Sequence, residues 1–370
     1  MTKKLFVFVL VIQAIISFLH WLLYKILLAY FPALYTHNTG ILIACMVVSI
    51  SFLGMTFADH VSENFLVTWG YILSSALLAL AFYFLVISIP LLLIFALSSI
   101  AGQILGTIAV AGSGLITIYG LINARIIRVV ELKVKLPNLP EIWKHRSAIM
   151  ASDLHFGHIL NMGTAKKVAA KIRSLKADIV FIPGDFYDGG HTDFRSLANE
   201  FSGKSIAPLG VYFSSGNHEL FAGYNLCEDA IKNAGIKILE DQKVEIDGLQ
   251  IIGLAYHGDS LSGQPETHES VKQKLSTIGV DRVRPSIVLK HVPNHMEAIE
   301  EMGGSLQLSG HSHQGQTWPG PLVTKRVWKG FDYGFKKLRN LQVYVSSGVG
   351  TWGPPVRFMT QSEIIRITFE

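Results

Sequence analysis

A run of 61 residues without Asp, Glu, Lys or Arg, positions 64–124, constrains this chain more than any other sequence feature. Everything before Arg125 contains three basic and two acidic residues, whereas the other 246 residues contain 29 basic and 25 acidic ones. A segment so poor in charge is typical of protein that lies in a bilayer. The sequence therefore predicts a multi-pass transmembrane region over 1–124 and a water-soluble region after it.

The transmembrane region is predicted to contain about four spans, because about 20 apolar residues cross a bilayer. The first apolar stretch is too long for the core of a signal peptide and lacks a small-residue cleavage site. In the uncharged run, Pro90, Gly102 and Gly106 offer one interruption, and three helices there would leave almost no residues for turns. The predicted spans are 5–31, 39–58, 66–95 and 104–123.

Basic residues at the ends of this region predict its orientation. Lys3 and Lys4 precede the first span, Arg125 and Arg128 follow the last, and the loops between the spans contain no Lys or Arg. The positive-inside rule then places both ends, and the soluble region, in the cytoplasm. A reporter fused after Glu370 that is active only outside the cytoplasm would contradict this orientation.

Two protein classes fit the composition poorly. The chain has two cysteines, Cys45 in an apolar stretch and Cys227 in the polar region, which argues against a disulfide framework. A transporter would need ionisable residues with partners along its spans. His20 and Lys25 in the first span lack an acidic partner there, and helix packing and snorkelling to the interface explain them better.

The soluble region alternates predicted strands and helices. It follows a predicted linker over 125–146, which Pro137 and Pro140 punctuate. Short runs rich in Ile, Val and Phe, bounded by Gly, Pro or Asp, predict buried strands. The predicted strands are 147–152, 178–183, 210–215, 286–290 and 305–309, with helices over 163–177 and 227–235. This pattern predicts an α/β domain over 147–370, whose ligands bind beyond the carboxyl ends of the strands.

Each predicted strand ends at a polar cluster. In chain order the clusters are DLH (153–155), GDFYD (184–188), GNHE (216–219), His291 and GHSH (310–313). They supply carboxylates, imidazoles and one amide but no thiolate, a set that suits Mn, Fe or Zn. Seven such side chains exceed what one ion needs. Two ions about 4 Å apart that share a carboxylate would use all of them and could clamp a phosphoryl group.

The ordered series DxH, GDxxD, GNH(D/E), a separate His and GHxH resembles the calcineurin-like metallophosphoesterases, over roughly residues 147–370. The resemblance implies two β-sheets flanked by helices, joined here to an all-α membrane bundle. The run VYVSSGVGTWGPPVR (343–357) and the GQ after GHSH resemble the membrane-linked bacterial branch of that family. That branch includes enzymes similar to UDP-2,3-diacylglucosamine diphosphatase, which implies a bacterial inner-membrane location.

The resemblance also implies residue roles and two divalent metal ions, with Mn favoured over Fe, Zn or Mg. Asp153, His155 and His313 would hold the first ion, Asn217, His291 and His311 the second, and Asp185 both. His218 would be the general acid that protonates the leaving oxygen. Asp188 would orient a metal-binding histidine. The ions would lower the pKa of a water nucleophile.

A basic and aromatic segment, residues 317–340, bears on the substrate. It contains six basic residues against one acid, with five aromatic residues among them. This mixture is typical of a membrane–water interface, and it favours an anionic lipid surface over nucleic acid. The predicted contacts with substrate or membrane are Lys325, Arg326, Trp328 and Lys329, and Arg357 is a candidate for holding a substrate phosphate.

Together these features predict a membrane-bound phosphoesterase with a dinuclear metal site. Its substrate would be a phosphodiester or pyrophosphate, plausibly lipid-linked. One alternative is a broad phosphodiesterase that acts on soluble nucleotides. The other is a non-catalytic scaffold, which would be expected to have lost ligands or the general acid, whereas this chain retains His218 and all seven ligand positions.

Overall fold

The computed structural model describes residues 3–59, 62, 64–98, 100–189, 192–256 and 266–370. The chain divides into two compact units. The helical unit comprises Met1–Asn123 with Gly353–Phe358, and the sheet unit comprises Ala124–Trp352 with Met359–Glu370.

The helical unit contains four helices that are long and apolar enough to cross a membrane, which confirms the predicted spans. They are α1 (Lys3–Tyr30), α2 (Asn38–Asp59), α3 (Phe65–Leu97) and α4 (Gly102–Asn123). The side chain of Asn64 caps α3 by accepting a hydrogen bond from the Val67 backbone N–H at 2.9 Å. Pro90 lies inside α3 rather than at its end, so the break between the last two spans follows Leu97. Membrane helices tolerate such a proline when neighbouring groups satisfy the freed backbone.

Apolar side chains of α1, α3 and α4 pack together, with Tyr30, Phe84 and Leu105 among the buried ones. The segment 353–358 also belongs to this unit. The Arg357 backbone N–H donates to the Gly120 carbonyl at 3.0 Å, and the Arg357 side chain is 0% exposed. Arg357 is therefore a packed residue of the helical unit, and its contact with a substrate phosphate stays a prediction.

The sheet unit contains two six-stranded mixed sheets. The first has the order β1-β12-β2-β3-β4-β5, with β2 to β5 parallel, and the second has the order β10-β11-β9-β8-β7-β6, with β11, β9, β8 and β7 parallel. The strands are β1 (Ile127–Val134), β2 (Ser147–Met150), β3 (Ile179–Pro183), β4 (Val211–Ser214), β5 (Lys237–Ile238), β6 (Gln242–Ile246), β7 (Leu249–Leu254), β8 (Ser286–Lys290), β9 (Leu306–Ser309), β10 (Gly334–Leu338), β11 (Leu341–Val345) and β12 (Ser362–Phe369).

Helices cover the outer faces of both sheets, as the resemblance implied. They are α5 (Met162–Ser174), α6 (Phe194–Asn199), α7 (Gly203–Ile206), α8 (Asn217–Ala222), α9 (Tyr224–Asn233), α10 (His268–Ile278), α11 (Met296–Glu301) and α12 (Gly320–Val327). Strand β3 shows how the layers form, because successive side chains of a strand point to opposite faces. Ile179 and Phe181 pack between the two sheets, whereas Val180 and Ile182 pack against the helices. The prediction of five buried strands with helices between them is confirmed.

The predicted linker over 125–146 is wrong for its first part. Residues Ile127–Val134 form β1, which pairs with β12 in parallel along its whole length, from Ile127 opposite Ser362 to Val134 opposite Phe369. The physical reason is the alternation of apolar and charged residues in IRVVELKV, which suits an edge strand with one buried face. The partner strand is more than 220 positions away in the sequence, so local patterning did not reveal the pair.

Candidate metal centre

The five polar clusters meet because the strands before them are parallel within each sheet. β2, β3 and β4 are neighbours in the first sheet, and β8 and β9 are neighbours in the second. Their carboxyl ends therefore lie along one edge of each sheet, and the loops that follow converge there. The structure brings together all seven predicted ligand side chains: Asp153, His155, Asp185, Asn217, His291, His311 and His313.

Asp153, His155 and His313 form one group that could hold a metal ion, with ligand atoms within 4.8 Å of one another. His155 Nε2 lies 3.0 Å from His313 Nε2, and His313 Nε2 lies 3.3 Å from Asp153 Oδ1. Such separations match adjacent ligands around a single ion whose bonds are about 2.1 Å long. The donor set of two imidazoles and a carboxylate suits a borderline divalent metal.

Asp185, His291 and His311 form a second group of the same kind. His291 Nε2 lies 3.1 Å from Asp185 Oδ2, and His311 Nδ1 lies 2.9 Å from Asn217 Oδ1, so the amide oxygen is at hand as a further ligand. A third group joins Asp185 to His155 of the first group and to His218. Asp185 thus lies between the two sets of imidazoles, where a shared carboxylate would be needed.

The electrostatics of this cluster fit bound cations. Asp153 Oδ2 is buried and accepts no hydrogen bond from the described residues, although such atoms normally have a partner. Burial opposes ionisation of Asp185, but the neighbouring imidazoles of His291 and His218 hold its pKa well below the usual range. Burial lowers the pKa of His291, but Asp185 outweighs it and raises the pKa to about 9. Buried carboxylates such as Asp153 and Asp185 are stabilised by positive charge nearby, which metal ions could supply.

The backbone at the centre is strained. Asp153, His155, Asp185, His311 and His313 all have positive φ angles, between 47° and 67°. Non-glycine residues avoid this region, which costs of the order of 1 kcal/mol each, and such strain clusters at functional sites. Five of the seven candidate ligands therefore have a strained backbone, which indicates that the loop conformations are maintained because they position these side chains.

Glycines precede several candidate ligands because a β-carbon there would enter the cluster. A β-carbon on Gly310 would lie 2.0 Å from Asp153 Oδ2, and one on Gly216 would lie 2.1 Å from Asp185 Oδ1. Both distances are far below van der Waals contact. The glycines of the GNHE and GHSH motifs are therefore required by close packing of loop against carboxylate.

Residues 148–315 match the family model of the calcineurin-like phosphoesterases. This segment is a calcineurin-like phosphoesterase domain. The family hydrolyses phosphoester bonds, and the match covers all five clusters at the strand ends.

Relatives of the phosphoesterase domain include membrane proteins. An uncharacterised metallophosphoesterase of Campylobacter jejuni is 30% identical over 253 residues, which cover 67% of this chain and 65% of that protein. A transmembrane protein with metallophosphoesterase domain from Danio rerio is 27% identical over 277 residues, which cover 70% of this chain and 61% of that protein. The chain thus spans less than two thirds of the length of either relative. A solved dimetal phosphatase from Danio rerio aligns over 55% of this chain and 87% of that chain, at 13% identity and a TM-score of 0.36.

His218 lies at the open edge of the phosphoesterase centre. Its side chain is 20% exposed, whereas His155 and His291 are fully buried. His218 Nδ1 lies 3.1 Å from Asp188 Oδ1, and His155 Nδ1 lies 3.3 Å from the same oxygen. Burial lowers the pKa of His218, but the carboxylates of Asp185 and Asp188 outweigh it and raise the pKa to about 10. Asp188 therefore holds two imidazoles at once, one inside the cluster and one at its edge.

Glu219 belongs to the GNHE motif, but the sequence alone assigned no role to it; the structure shows that it positions loops of the centre. Its buried carboxylate accepts backbone N–H groups from Gly216 at 2.7 Å, Phe186 at 2.7 Å and Asp185 at 3.1 Å. Two loops that follow different strands are thereby tied to one side chain. The acidic last residue of the GNHE motif was the sequence feature that could have predicted this role, because a buried carboxylate at this edge of the sheet needs either a metal or several N–H donors.

The four residues predicted to contact substrate or membrane differ in where they lie: one borders the metal centre, and three are exposed. The Trp328 ring lies 5.7 Å from the His311 ring, at an interplanar angle of 82°, so it borders the centre directly. Lys325, Arg326 and Lys329 are exposed on and just after α12. They are near the centre in sequence and in space but do not enter the cluster of ligand atoms.

Proposed function

We propose that the phosphoesterase domain uses two divalent metal ions to hydrolyse a phosphodiester or pyrophosphate bond. The observation that supports this most strongly is the pair of ligand groups joined at Asp185, in which the buried Asp153 Oδ2 accepts no hydrogen bond from the described residues. Mn is the favoured metal, and Fe, Zn and Mg have compatible preferences. When bound, two such ions supply charge for a phosphoryl group and lower the pKa of a water molecule.

The ligand roles follow from the two groups. Asp153, His155 and His313 would hold one ion, and His291, His311 and Asn217 the other. Asp185 would contact both. Pro183 supports this assignment, because its carbonyl lies 2.9 Å from His291 Nδ1 and so directs Nε2 towards Asp185. Asp188 would support the first group by orienting His155.

His218 would act as the general acid. Asp188 engages its Nδ1, so Nε2 is the atom that can reach the leaving oxygen of a substrate at the open edge. Water adds to phosphorus and releases one proton to solvent, the bond from phosphorus to the leaving oxygen breaks, and that oxygen takes the proton from His218. The carboxylates of Asp185 and Asp188 favour the protonated imidazole that this step requires.

We further propose that the substrate is lipid-linked, with UDP-2,3-diacylglucosamine as the leading candidate. Support comes from the four membrane-capable helices in the same chain and from a transmembrane relative with the same domain. The flanking basic residues favour a cytoplasmic catalytic domain, and the resemblance to the membrane-linked bacterial branch favours a bacterial inner-membrane location. Soluble nucleotides are the alternative substrates.

Hydrolysis by the full chain, purified in detergent with Mn²⁺, tests both levels of the proposal. UMP should be released from UDP-2,3-diacylglucosamine and a generic phosphodiester should be cleaved, while the Asp185→Ala variant should do neither and should bind less metal. Cleavage of the generic phosphodiester alone would retain the phosphoesterase and remove this lipid substrate. Cleavage of neither, with metal present by elemental analysis, would favour the non-catalytic scaffold.

A further inference from the structure

We propose that the exposed face of α12 docks onto the surface of an anionic lipid bilayer, next to the metal centre. This inference deepens the proposed lipid-linked substrate and rests on that proposal for its functional meaning. The docking itself is a property of the surface of the sheet unit and can be measured without catalysis.

One side of α12 is anchored to the phosphoesterase domain. The Thr324 hydroxyl donates to Asp332 Oδ2 at 3.2 Å, and Trp328, directly after the helix, borders His311. Residues four apart lie on the same side of a helix, so Thr324 and Trp328 define the inward side. This contact ties the position of α12 to that of the metal centre.

The outward side of α12 is apolar and unusually exposed. Val323 and Val327, also four apart, are 60% and 62% exposed, and Leu322 is 63% exposed. With about 100° between successive residues, Leu322 lies within the same half of the helix as the two valines. Three large aliphatic side chains in water on one short helix are unfavourable unless another apolar phase covers them.

Basic residues accompany this apolar face. Lys325, Arg326 and Lys329 are exposed, and Arg326 projects among the aliphatic side chains, since it is four residues after Leu322. The one acidic residue of the segment, Asp332, is buried and bonded to Thr324. An apolar strip with cations among it matches the boundary between acyl chains and anionic headgroups.

A second exposed apolar residue lies on another side of the centre. Phe221 is 74% exposed, and its ring lies 5.6 Å from that of His218. The exposed Phe221 thus borders the predicted general acid, and the half-buried Trp328, at the end of α12, borders the second ligand group. A bilayer that contacts α12 would bring phosphates of its headgroups to the level of the metal centre.

The size of the face favours a bilayer over a protein partner. Stable protein interfaces bury about 800 Å² on each side, far more than three aliphatic side chains offer. Interfacial helices need less buried apolar area, because basic residues add attraction to anionic lipid. Each basic residue strengthens binding to the membrane surface about fivefold. The same chain also carries four membrane-capable helices.

The first test places a nitroxide on α12 of the full chain in nanodiscs that contain phosphatidylglycerol. Cys45 and Cys227 are buried, and both can be replaced by serine before Val323→Cys is labelled. Val283→Cys is the matched control, because Val283 is an equally apolar and 71% exposed residue of the same unit. We expect oxygen, which partitions into lipid, to reach the label at position 323 better than a water-soluble nickel complex, and the reverse at position 283.

Equal exposure of both labels to the nickel complex would overturn the proposal. Shielding of the label at position 323 from both relaxing agents would also overturn it, since it would indicate a protein contact such as a second copy of the chain. In nanodiscs of phosphatidylcholine alone, the preference for oxygen at position 323 should weaken, because the basic residues then lose their anionic partners.

The second test separates docking from catalysis. The double variant Leu322→Gln/Val323→Gln should cleave a soluble phosphodiester within twofold of the wild-type rate but should cleave a bilayer-embedded phosphate lipid at least tenfold more slowly. Equal loss on both substrates would contradict a docking role for α12. Failure of the wild type on the soluble substrate would refute the proposed function instead, while leaving the nitroxide result to decide the docking.

Discussion

Buried polar groups behave differently in the helical unit and in the phosphoesterase domain. In the helical unit, three of the buried serines bond within their own helix. Ser49, Ser74 and Ser113 each donate to the carbonyl three residues earlier, at 2.8 to 3.0 Å. In the phosphoesterase domain, buried polar groups meet across long stretches of sequence, such as the His311 backbone N–H with Asp153 Oδ1 at 2.9 Å.

The difference shows what each region is built to do. In lipid, a hydroxyl that bonds to its own helix satisfies itself without a partner elsewhere, so it implies no ligand. His20 Nδ1 lies 2.9 Å from the Ile16 carbonyl, a bond within the same helix that supports packing. In the phosphoesterase domain, the ligand atoms of Asp153, His155 and His313 lie within 4.8 Å of one another, as do those of Asp185, His291 and His311, and such groups could each hold a metal ion.

One substitution made in both regions gives the largest expected effect. Gly310→Ala should reduce phosphoesterase activity by more than about a hundredfold and release metal, because its β-carbon would meet Asp153 Oδ2 at 2.0 Å and displace a candidate ligand. Gly114→Ala in α4 is the control, since its β-carbon would meet no atom within 4 Å. Turnover of a soluble phosphodiester and metal content by elemental analysis measure both.

An unchanged metal content in Gly310→Ala would contradict this contrast between the two regions, because it would show that the loop can relax away from Asp153. The same would follow if Gly114→Ala lost activity to a similar degree. Alanine is the better helix former by about 1 kcal/mol, so the α4 variant should be at least as stable as the wild type.

His218→Ala sharpens the distinction between ligand and general acid within the centre. We expect turnover to fall on the order of a hundredfold, with metal content unchanged, because the residue would supply a proton rather than hold an ion. The structure makes this test decisive, since His218 also lies in a group that could hold metal with His155 and Asp185. Loss of metal from this variant would show that the assignment of roles is wrong.

A smaller effect is expected from Glu240, a buried acid near the centre that accepts hydrogen bonds from Ser215 N–H at 2.8 Å and Ser215 Oγ at 2.9 Å. Burial raises the pKa of Glu240 from 4.5 to about 7. Between these values the folded protein keeps a proton that the unfolded chain releases, so stability falls as pH rises, by up to about 3 kcal/mol in total.

Glu240→Gln should flatten this dependence, because the amide keeps an acceptor for Ser215 but does not titrate. Thermal unfolding of the detergent-solubilised protein at pH 5, 6, 7 and 8 measures the effect. The midpoint of the wild type should drop by a few degrees more than that of the variant over this range. Parallel curves would show that Glu240 is not the group responsible.

Much of the fold was predictable because the signals are local. The charge-free run up to Arg125 predicted the spans, and the short runs rich in Ile, Val and Phe predicted β2, β3, β4, β8 and β9. Strand β1 was missed because its partner β12 lies at the far end of the chain. Strands β6 and β7 were missed as well, since the run QKVEIDGLQIIGL lacks a polar cluster at its end of the kind that marked the others.

The sequence by itself determined the four membrane-capable helices, the α/β alternation and the candidate ligand residues, because hydrophobic length, periodicity and motif spacing are properties of neighbouring residues. Only the tertiary structure decided that Arg357 is buried, that Glu219 ties two loops together and that Trp328 borders His311. These facts depend on which distant segments meet. The order of strands in a sheet sets those meetings, and it is chosen by the packing energy of the whole domain rather than by any local pattern.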